Sequence, residues 1–107
     1  MSTAKVRQIE KQIETIKAQL QDIGEMRPGS LTQQYKVPKE KIGPYYQLSY
    51  MHKMKSRTNY VRPQFVSQIR KQVANYKRFK KLTERWIELA IQHSKLTMDI
   101  AKKKGSE

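Results

Sequence analysis

Residues 64–102 of this chain read QFVSQIRKQVANYKRFKKLTERWIELAIQHSKLTMDIAK, and this stretch decides the fold. Apolar side chains and one histidine recur every three or four residues, which places them along one side of an α-helix. They are Phe65, Ile69, Val73, Tyr76, Phe79, Leu82, Trp86, Leu89, His93, Leu96 and Ile100. No glycine or proline interrupts the pattern before Gly105. The sequence therefore predicts one long helix over residues 63–102, followed by a frayed tail at 103–107.

The N-terminal segment carries a second helical pattern, a strict heptad seam. Its apolar side chains, three and four residues apart in alternation, are Val6, Ile9, Ile13, Ile16, Leu20 and Ile23. Gly24 follows them and is a typical residue just past a helix end. We therefore predict a helix over residues 4–24. Because a helix this short is marginal without a partner, we expect it to pack antiparallel on the long helix, in coiled-coil fashion.

The periodicity breaks between the two helices, over residues 25–62. In this turn-rich segment, alternating polarity over residues 45–51 and a plausible partner strand at residues 56–61 predict an antiparallel β-hairpin near residues 45–61. The loop between them lacks an Asn-Gly turn. A two-stranded hairpin alone is too small to be stable. A further short strand near residues 34–37 would make the sheet three-stranded.

One face of the predicted hairpin is apolar. Tyr46, Leu48 and Tyr50 alternate with smaller or polar residues, so they share a face. We expect this face to pack against Phe65 and Ile69 at the start of the long helix. The fold class is thus mainly α with a two- or three-stranded β insert, in a single domain spanning residues 1–107.

Composition narrows the possible functions. The chain has 107 residues, 36% of them apolar and 30% charged, and no cysteine. The absence of cysteine excludes disulfides, thiolate zinc sites and cysteine nucleophiles. No apolar run approaches the roughly 18 residues of a membrane span. We therefore expect a small cytoplasmic protein with no membrane partner.

Basic residues outnumber acidic ones by 23 to 9, giving a net charge of +14. The first 24 residues carry only +1 of it, so the excess lies downstream. Between Lys53 and Arg85 only Glu84 opposes eleven basic residues. This distribution favours contact with phosphates over an ordinary solvated helix face. The predicted nucleic-acid-binding residues are Lys53, Lys55, Arg57, Arg62, Arg70, Lys71, Lys77, Arg78, Lys81 and Arg85.

Catalysis has little support in the sequence. The two histidines, His52 and His93, lie far apart along the chain, and His93 occupies a position in the apolar seam. The chain has no metal-binding histidine pair, phosphate-binding glycine loop or nucleophile elbow. We therefore predict that it is not an enzyme and uses no cofactor and no metal.

Four short motifs occur in a characteristic order. They are RPGSL at 27–31, GPYYQLSY at 43–50, TNYVRP at 58–63 and NYKRFKKL at 75–82. Together, from Met26 to Leu82, they resemble a small prokaryotic domain family of unknown function that is associated with mobile-element and transposase-like genes. That family commonly carries a cysteine cluster, and residues 32–42 here have none. The resemblance implies a mobile-element setting and supplies no catalytic residues.

These observations lead to one functional hypothesis and its alternatives. The first is a non-enzymatic accessory protein that binds DNA or structured RNA in a mobile-element or nucleoprotein complex, located in the cytoplasm and associated with the nucleoid or with a nucleoprotein complex. An alternative is a homo-oligomer or a module docking on a larger enzyme through the Val6–Ile23 and Leu82–Ile100 seams. A basic protein associated with the ribosome shares the same electrostatics.

Overall fold

The computed structural model describes residues 2–37, 39–40 and 42–105, and over these residues it contains two α-helices and one antiparallel sheet. In chain order the elements are α1 (Ser2–Gln21), β1 (Ser30–Val37), β2 (Ile42–His52), β3 (Lys55–Val61), a 3-10 turn (Pro63–Phe65) and α2 (Val66–Gly105). The predicted order of helix, β insert and long helix is confirmed, and the sheet has three strands.

The chain divides into two compact units. The helical unit comprises Met1–Ile23 and Phe79–Glu107, and the sheet unit comprises Gly24–Arg78. Helix α2 contributes its first part to the sheet unit and the remainder to the helical unit. The single-domain organisation stays a prediction, and the two units are described one at a time.

In the sheet unit, β2 is the central strand and pairs with β1 and β3. The register places Leu48 opposite both Leu31 and Asn59. The alternating apolar residues of β2 share one face of the sheet. Leu48, Val61 and Val73 are buried together there. Around them pack the half-buried Leu31, Tyr46, Tyr50, Val66 and Ile69. The first turns of α2 thus cover the face that the alternation predicts.

Phe65 departs from its predicted place in this core. Its side chain is 47% exposed, whereas Ile69 packs against the core as expected. Phe65 ends the 3-10 turn instead of lying on α2. A 3-10 turn advances three residues per turn, so the helical phase extrapolated back from Ile69 does not hold at Phe65.

The hairpin between β2 and β3 closes through a two-residue turn. His52 pairs with Lys55, which leaves only Lys53 and Met54 in the turn. Both have positive φ, 51° and 64°, as a type I′ turn requires. Asn-Gly is the usual pair in such a turn, so Lys53 and Met54 give no local sequence signal of a two-residue turn.

In the helical unit, α1 packs on the later part of α2. Ile9, Ile16 and Leu89 are buried together. Partly buried around them are Ile13, Leu20, Leu82, Trp86 and Leu96. Glu10 of α1 contacts His93 of α2. Lys17, seven residues after Glu10, lies over Trp86, seven residues before His93. The two helices are therefore antiparallel in this unit.

The helix ends differ from the predicted ones. Helix α1 starts at Ser2 and stops at Gln21, and Ile23 N–H instead donates to the Leu20 carbonyl in a tightened last turn. Gly24 does not adopt the left-handed conformation of a capping glycine. Helix α2 continues through Gly105 rather than ending at residue 102. Residues 106 and 107 of the predicted tail lie outside the described residues.

Neither described helix combines the length and apolar character that crossing a lipid bilayer requires.

Candidate nucleic-acid interface

The sheet unit carries most of the net charge of the chain. It holds twelve basic and two acidic side chains, a net charge of +10, against +4 for the helical unit. The sequence contains no Asp or Glu from Lys41 to Thr83, so β2, β3 and the first turns of α2 lack any carboxylate of their own. Electrostatics in the sheet unit are therefore dominated by cations.

The hairpin between β2 and β3 presents three of the predicted cations. Lys53 lies in the turn, and Lys55 and Arg57 follow on β3. Side chains at alternate strand positions share a face, so Lys55 and Arg57 lie on the same side of the sheet as Val61. Val61 is buried under α2, whereas both cations are exposed. The hairpin thus continues the helix-covered face as a cationic extension.

Helix α2 adds two cations beside β1. Arg70 and Lys77 line an open groove of about 310 Å³, together with Ser30, Leu31, Val73 and Ala74. They are separated by seven residues, which corresponds to a rise of about 10.5 Å along the helix. Both long side chains therefore border the same groove from one side of α2.

The remaining predicted cations lie on other surfaces. Lys71 is two residues from both Ile69 and Val73, a rotation of about 200°, so it lies on the side of α2 away from the sheet. Arg78 is exposed on α2, and Arg62 is exposed just before the 3-10 turn. Lys81 and Arg85 are exposed on α2 within the helical unit.

All ten predicted cations share two properties. Each is exposed, and none forms an ion pair within the part of the chain that the structure describes. Among the described residues, the carboxylates in contact with a basic side chain are Glu14, with Lys17, and Glu10, with the His93 ring, both in the helical unit. The structure therefore leaves these ten positive charges available to solvent or to a ligand.

Two tyrosines lie on the face of the sheet opposite the one that α2 covers. The rings of Tyr45 and Tyr60 have centroids 6.2 Å apart and a tilt of 33°, and Tyr60 is 63% exposed. Tyr50, which is close to the hairpin cations in sequence, instead packs against the core. Strand alternation alone predicts that Tyr45 and Tyr50 lie on opposite faces of the sheet. The contact between Tyr45 and Tyr60 follows only from the register between β2 and β3.

A protein-family model matches most of the chain segment that contains these residues. The family described as a domain of unknown function, DUF6788, matches residues 6–71, more than half of the chain. The chain belongs to the DUF6788 family. No curated protein and no solved structure matches it.

The DUF6788 match has different limits from the resemblance seen in the sequence motifs. It starts at Val6 in α1 and ends at Lys71 in α2, whereas the motifs run from Met26 to Leu82. Six of the ten cations lie inside the matched residues. They are Lys53, Lys55, Arg57, Arg62, Arg70 and Lys71. Lys77, Arg78, Lys81 and Arg85 lie beyond the match.

One further cation of the DUF6788 segment is held by structural contacts. The Arg27 guanidinium lies over the Tyr50 ring, 5.0 Å from its centroid, and donates a hydrogen bond to Asn59 Oδ1. Its backbone N–H donates to the Gln72 carbonyl at 3.0 Å. Arg27 therefore joins the loop before β1 to the sheet and to α2, and the sequence offers no local sign of this role.

The carboxylate nearest to Arg27 in sequence is also engaged. Glu25 accepts a hydrogen bond from Gln72 Nε2 at its side chain, and its carbonyl accepts one of 2.7 Å from Asn75 Nδ2. Both donors lie on α2. Glu25 thus holds the loop on α2 and forms no ion pair with any of the ten cations.

Across the described residues, no three His, Asp or Glu side chains lie close enough together to hold a metal ion.

Proposed function

We propose that this protein is a non-enzymatic accessory protein that binds nucleic acid, either DNA or structured RNA. One observation carries the proposal: ten exposed cations without carboxylate partners, eight of them in a unit of net charge +10. A folded unit with this excess of one sign favours a polyanion, because each cation that meets a phosphate releases condensed counterions.

The sheet unit supplies two kinds of contact. Arg70 and Lys77 border a groove beside β1 and would hold a phosphate backbone along α2. Lys53, Lys55 and Arg57 would extend that contact along the hairpin. Such contacts position a nucleic acid without reading its sequence, so we expect high affinity at low salt and little sequence preference.

Charge reversal in the groove tests the proposal. We expect fluorescence anisotropy at about 50 mM salt to detect binding of a labelled DNA duplex, a labelled RNA hairpin or both. Arg70→Glu with Lys77→Glu should abolish this binding. Lys5→Glu with Lys11→Glu changes the net charge equally on exposed positions of α1 and should retain most of it.

Circular dichroism of each variant separates loss of binding from loss of fold. A wild-type protein that binds neither probe at this salt overturns the proposal. Equal losses in the two double variants would show that net charge alone, and not this surface, attracts the nucleic acid.

The cellular setting forms part of the same proposal. The resemblance carried by the motif order over Met26 to Leu82 supports a mobile-element or nucleoprotein complex, and we place the protein in the cytoplasm, at the nucleoid or in such a complex. Purification from cells, followed by nuclease treatment and sequencing of the bound nucleic acid, tests this setting. Element-derived DNA would support it, whereas ribosomal RNA would favour the ribosome-associated alternative.

We further propose that α1 and α2 pack as a coiled coil. The support is the matching seven-residue step between the Glu10–His93 and Lys17–Trp86 contacts, which is the heptad repeat on both helices. Because the chain has no cysteine, Glu10→Cys with His93→Cys introduces a single reporter pair. Efficient joining of this pair by a short bifunctional thiol cross-linker, which spans the gap that the two long side chains fill, would support this register, and failure of that cross-link would contradict it.

A further inference from the structure

Helix α2 carries a second row of large apolar side chains in the helical unit, and this row is exposed. Ile87, Ile91 and Met98 are 60%, 51% and 60% exposed. They are four and seven residues apart, so they lie on one side of the helix. With Ala90, Ser94 and Lys95 they line a shallow open groove of about 420 Å³. We call Ile87, Ile91 and Met98 the outer stripe.

The outer stripe faces away from α1. Leu89, buried against α1, lies two residues after Ile87, and Leu96, which also packs there, lies two residues before Met98. Two residues correspond to a rotation of about 200°, so the two apolar rows lie on opposite sides of α2. A helix with one neighbour needs only one apolar face. The outer stripe is therefore a surface without a partner among the described residues.

Four charged side chains border one edge of the outer stripe. Glu84 and Glu88 lie three residues before Ile87 and Ile91, and Lys95 and Lys102 lie four residues after Ile91 and Met98. All four are exposed, and none belongs to a described ion pair. Along this edge the sequence of charges is negative, negative, positive, positive. Arg85 and Asp99 lie farther round the helix.

We propose that the outer stripe binds a second copy of this chain, with the two α2 helices antiparallel. A two-fold axis near residues 91–93 would bring the acidic end of one edge against the basic end of the other, with Glu84 opposite Lys102 and Glu88 opposite Lys95. The same patch then serves both copies, as two-fold symmetry requires. A parallel two-fold pair would place the two charged edges on opposite sides of the contact, so their charges would stay unpaired.

A second copy fits this surface better than a polyanion does. The edge carries two negative and two positive charges, so it is neutral within a chain of net charge +14. Repulsion between two copies is therefore low where this patch is the contact, and its apolar centre offers nothing to a phosphate. The Val6–Ile23 and Leu82–Ile100 seams, predicted for self-association, instead contact each other within one chain.

This pairing does not depend on nucleic-acid binding, so the two proposals fail separately. If both hold, a dimer presents two cationic sheet units to one nucleic acid and binds it more tightly than either copy does alone.

The test is the mass of the protein in solution, measured without nucleic acid by sedimentation at increasing concentration. We expect the wild type to form a dimer. Ile91→Glu buries a charge in the contact and should weaken dimerisation at least about tenfold. Gln92→Glu makes the same charge change at an exposed position off the stripe and should leave it unchanged.

Charge exchange tests the antiparallel arrangement itself. Glu84→Lys with Glu88→Lys gives an all-basic edge, and Lys95→Glu with Lys102→Glu gives an all-acidic edge. Each variant should be monomeric, and an equimolar mixture should recover a dimer. Circular dichroism of each variant confirms that α2 is retained.

Three results would overturn the proposal: a wild type that stays monomeric throughout, a dimer that survives Ile91→Glu, and charge variants that do not recover on mixing although each is folded.

Discussion

Arg27 and Tyr50 form the main side-chain link between the loop before β1 and the sheet. The guanidinium lies 5.0 Å from the ring centroid of Tyr50 and also donates to Asn59 on β3. Two strands and the loop are therefore connected through one side chain. This contact explains why Arg27, although basic, differs from the ten cations of the proposed interface.

Removing the Arg27 side chain should destabilise the sheet unit. Arg27→Ala loses the contact with Tyr50 and the hydrogen bond to Asn59, which together contribute about 1–2 kcal/mol to the free energy of unfolding. Urea denaturation measures this loss. Arg62→Ala is the matched control, because Arg62 is exposed and should change stability by less than about 0.5 kcal/mol. Equal effects would show that Arg27 has no bracing role.

Gly29 should tolerate no side chain. Its φ is 141°, and a Cβ there would lie 2.8 Å from Leu48 Cδ1 and 3.0 Å from the Ser49 carbonyl oxygen. Gly29→Ala should therefore cost about 2 kcal/mol or more in thermal or urea unfolding. At Gly24 the closest atom to an added Cβ is Asn75 Nδ2 at 3.8 Å, so Gly24→Ala should be close to neutral. A neutral Gly29→Ala would contradict this close packing.

Met54 lies in the hairpin turn with a φ of 64°, and its side chain is 93% exposed. Met54→Gly removes the steric cost of the left-handed conformation without losing packing, so it should stabilise the protein by about 1 kcal/mol. Met51 is also exposed but lies on β2 without positive φ, so Met51→Gly should destabilise by about 0.5–1 kcal/mol. Urea denaturation of both variants checks these opposite signs; equal signs would contradict the left-handed turn.

The core of the helical unit depends on Leu89, which is 1% exposed between Ile9 and Ile16. Leu89→Ala should cost about 2–5 kcal/mol, because the substitution leaves a cavity between α1 and α2. Gln92→Ala, an exposed position on the same helix, should change stability little. Chemical denaturation with helicity as the signal measures both. A small loss for Leu89→Ala would indicate that α1 does not pack there in solution.

The salt dependence of binding reports how many phosphates the protein engages. We expect the logarithm of the binding constant to fall linearly with the logarithm of the salt concentration. Arg70→Ala and Lys77→Ala should each lower the magnitude of this slope by about 1. Lys11→Ala removes a charge from α1 and should leave the slope unchanged. Slopes that are identical in all four proteins would remove the groove beside β1 from the interface.

Much of the fold follows from local spacing in the sequence. A repeat of three and four residues is enough to predict α1 and α2, and alternation around Leu48 is enough to predict which face of β2 is buried. These patterns depend on residues that lie within one or two turns of each other, so they are visible along the chain. The excess of positive charge after Gly24 is equally a property of the sequence.

The tertiary structure decided which apolar and charged groups have partners. Only the fold shows that Leu89 packs on Ile9 and Ile16 while Ile87 and Ile91 stay exposed, although all these residues are apolar and helical. Likewise, only the fold shows that Arg27 contacts Tyr50, whereas the ten cations of the proposed interface have no carboxylate partner among the described residues. The physical reason is that burial and pairing depend on groups brought together from distant parts of the chain. Residue spacing determines which side of an element a group occupies, but not what covers that side.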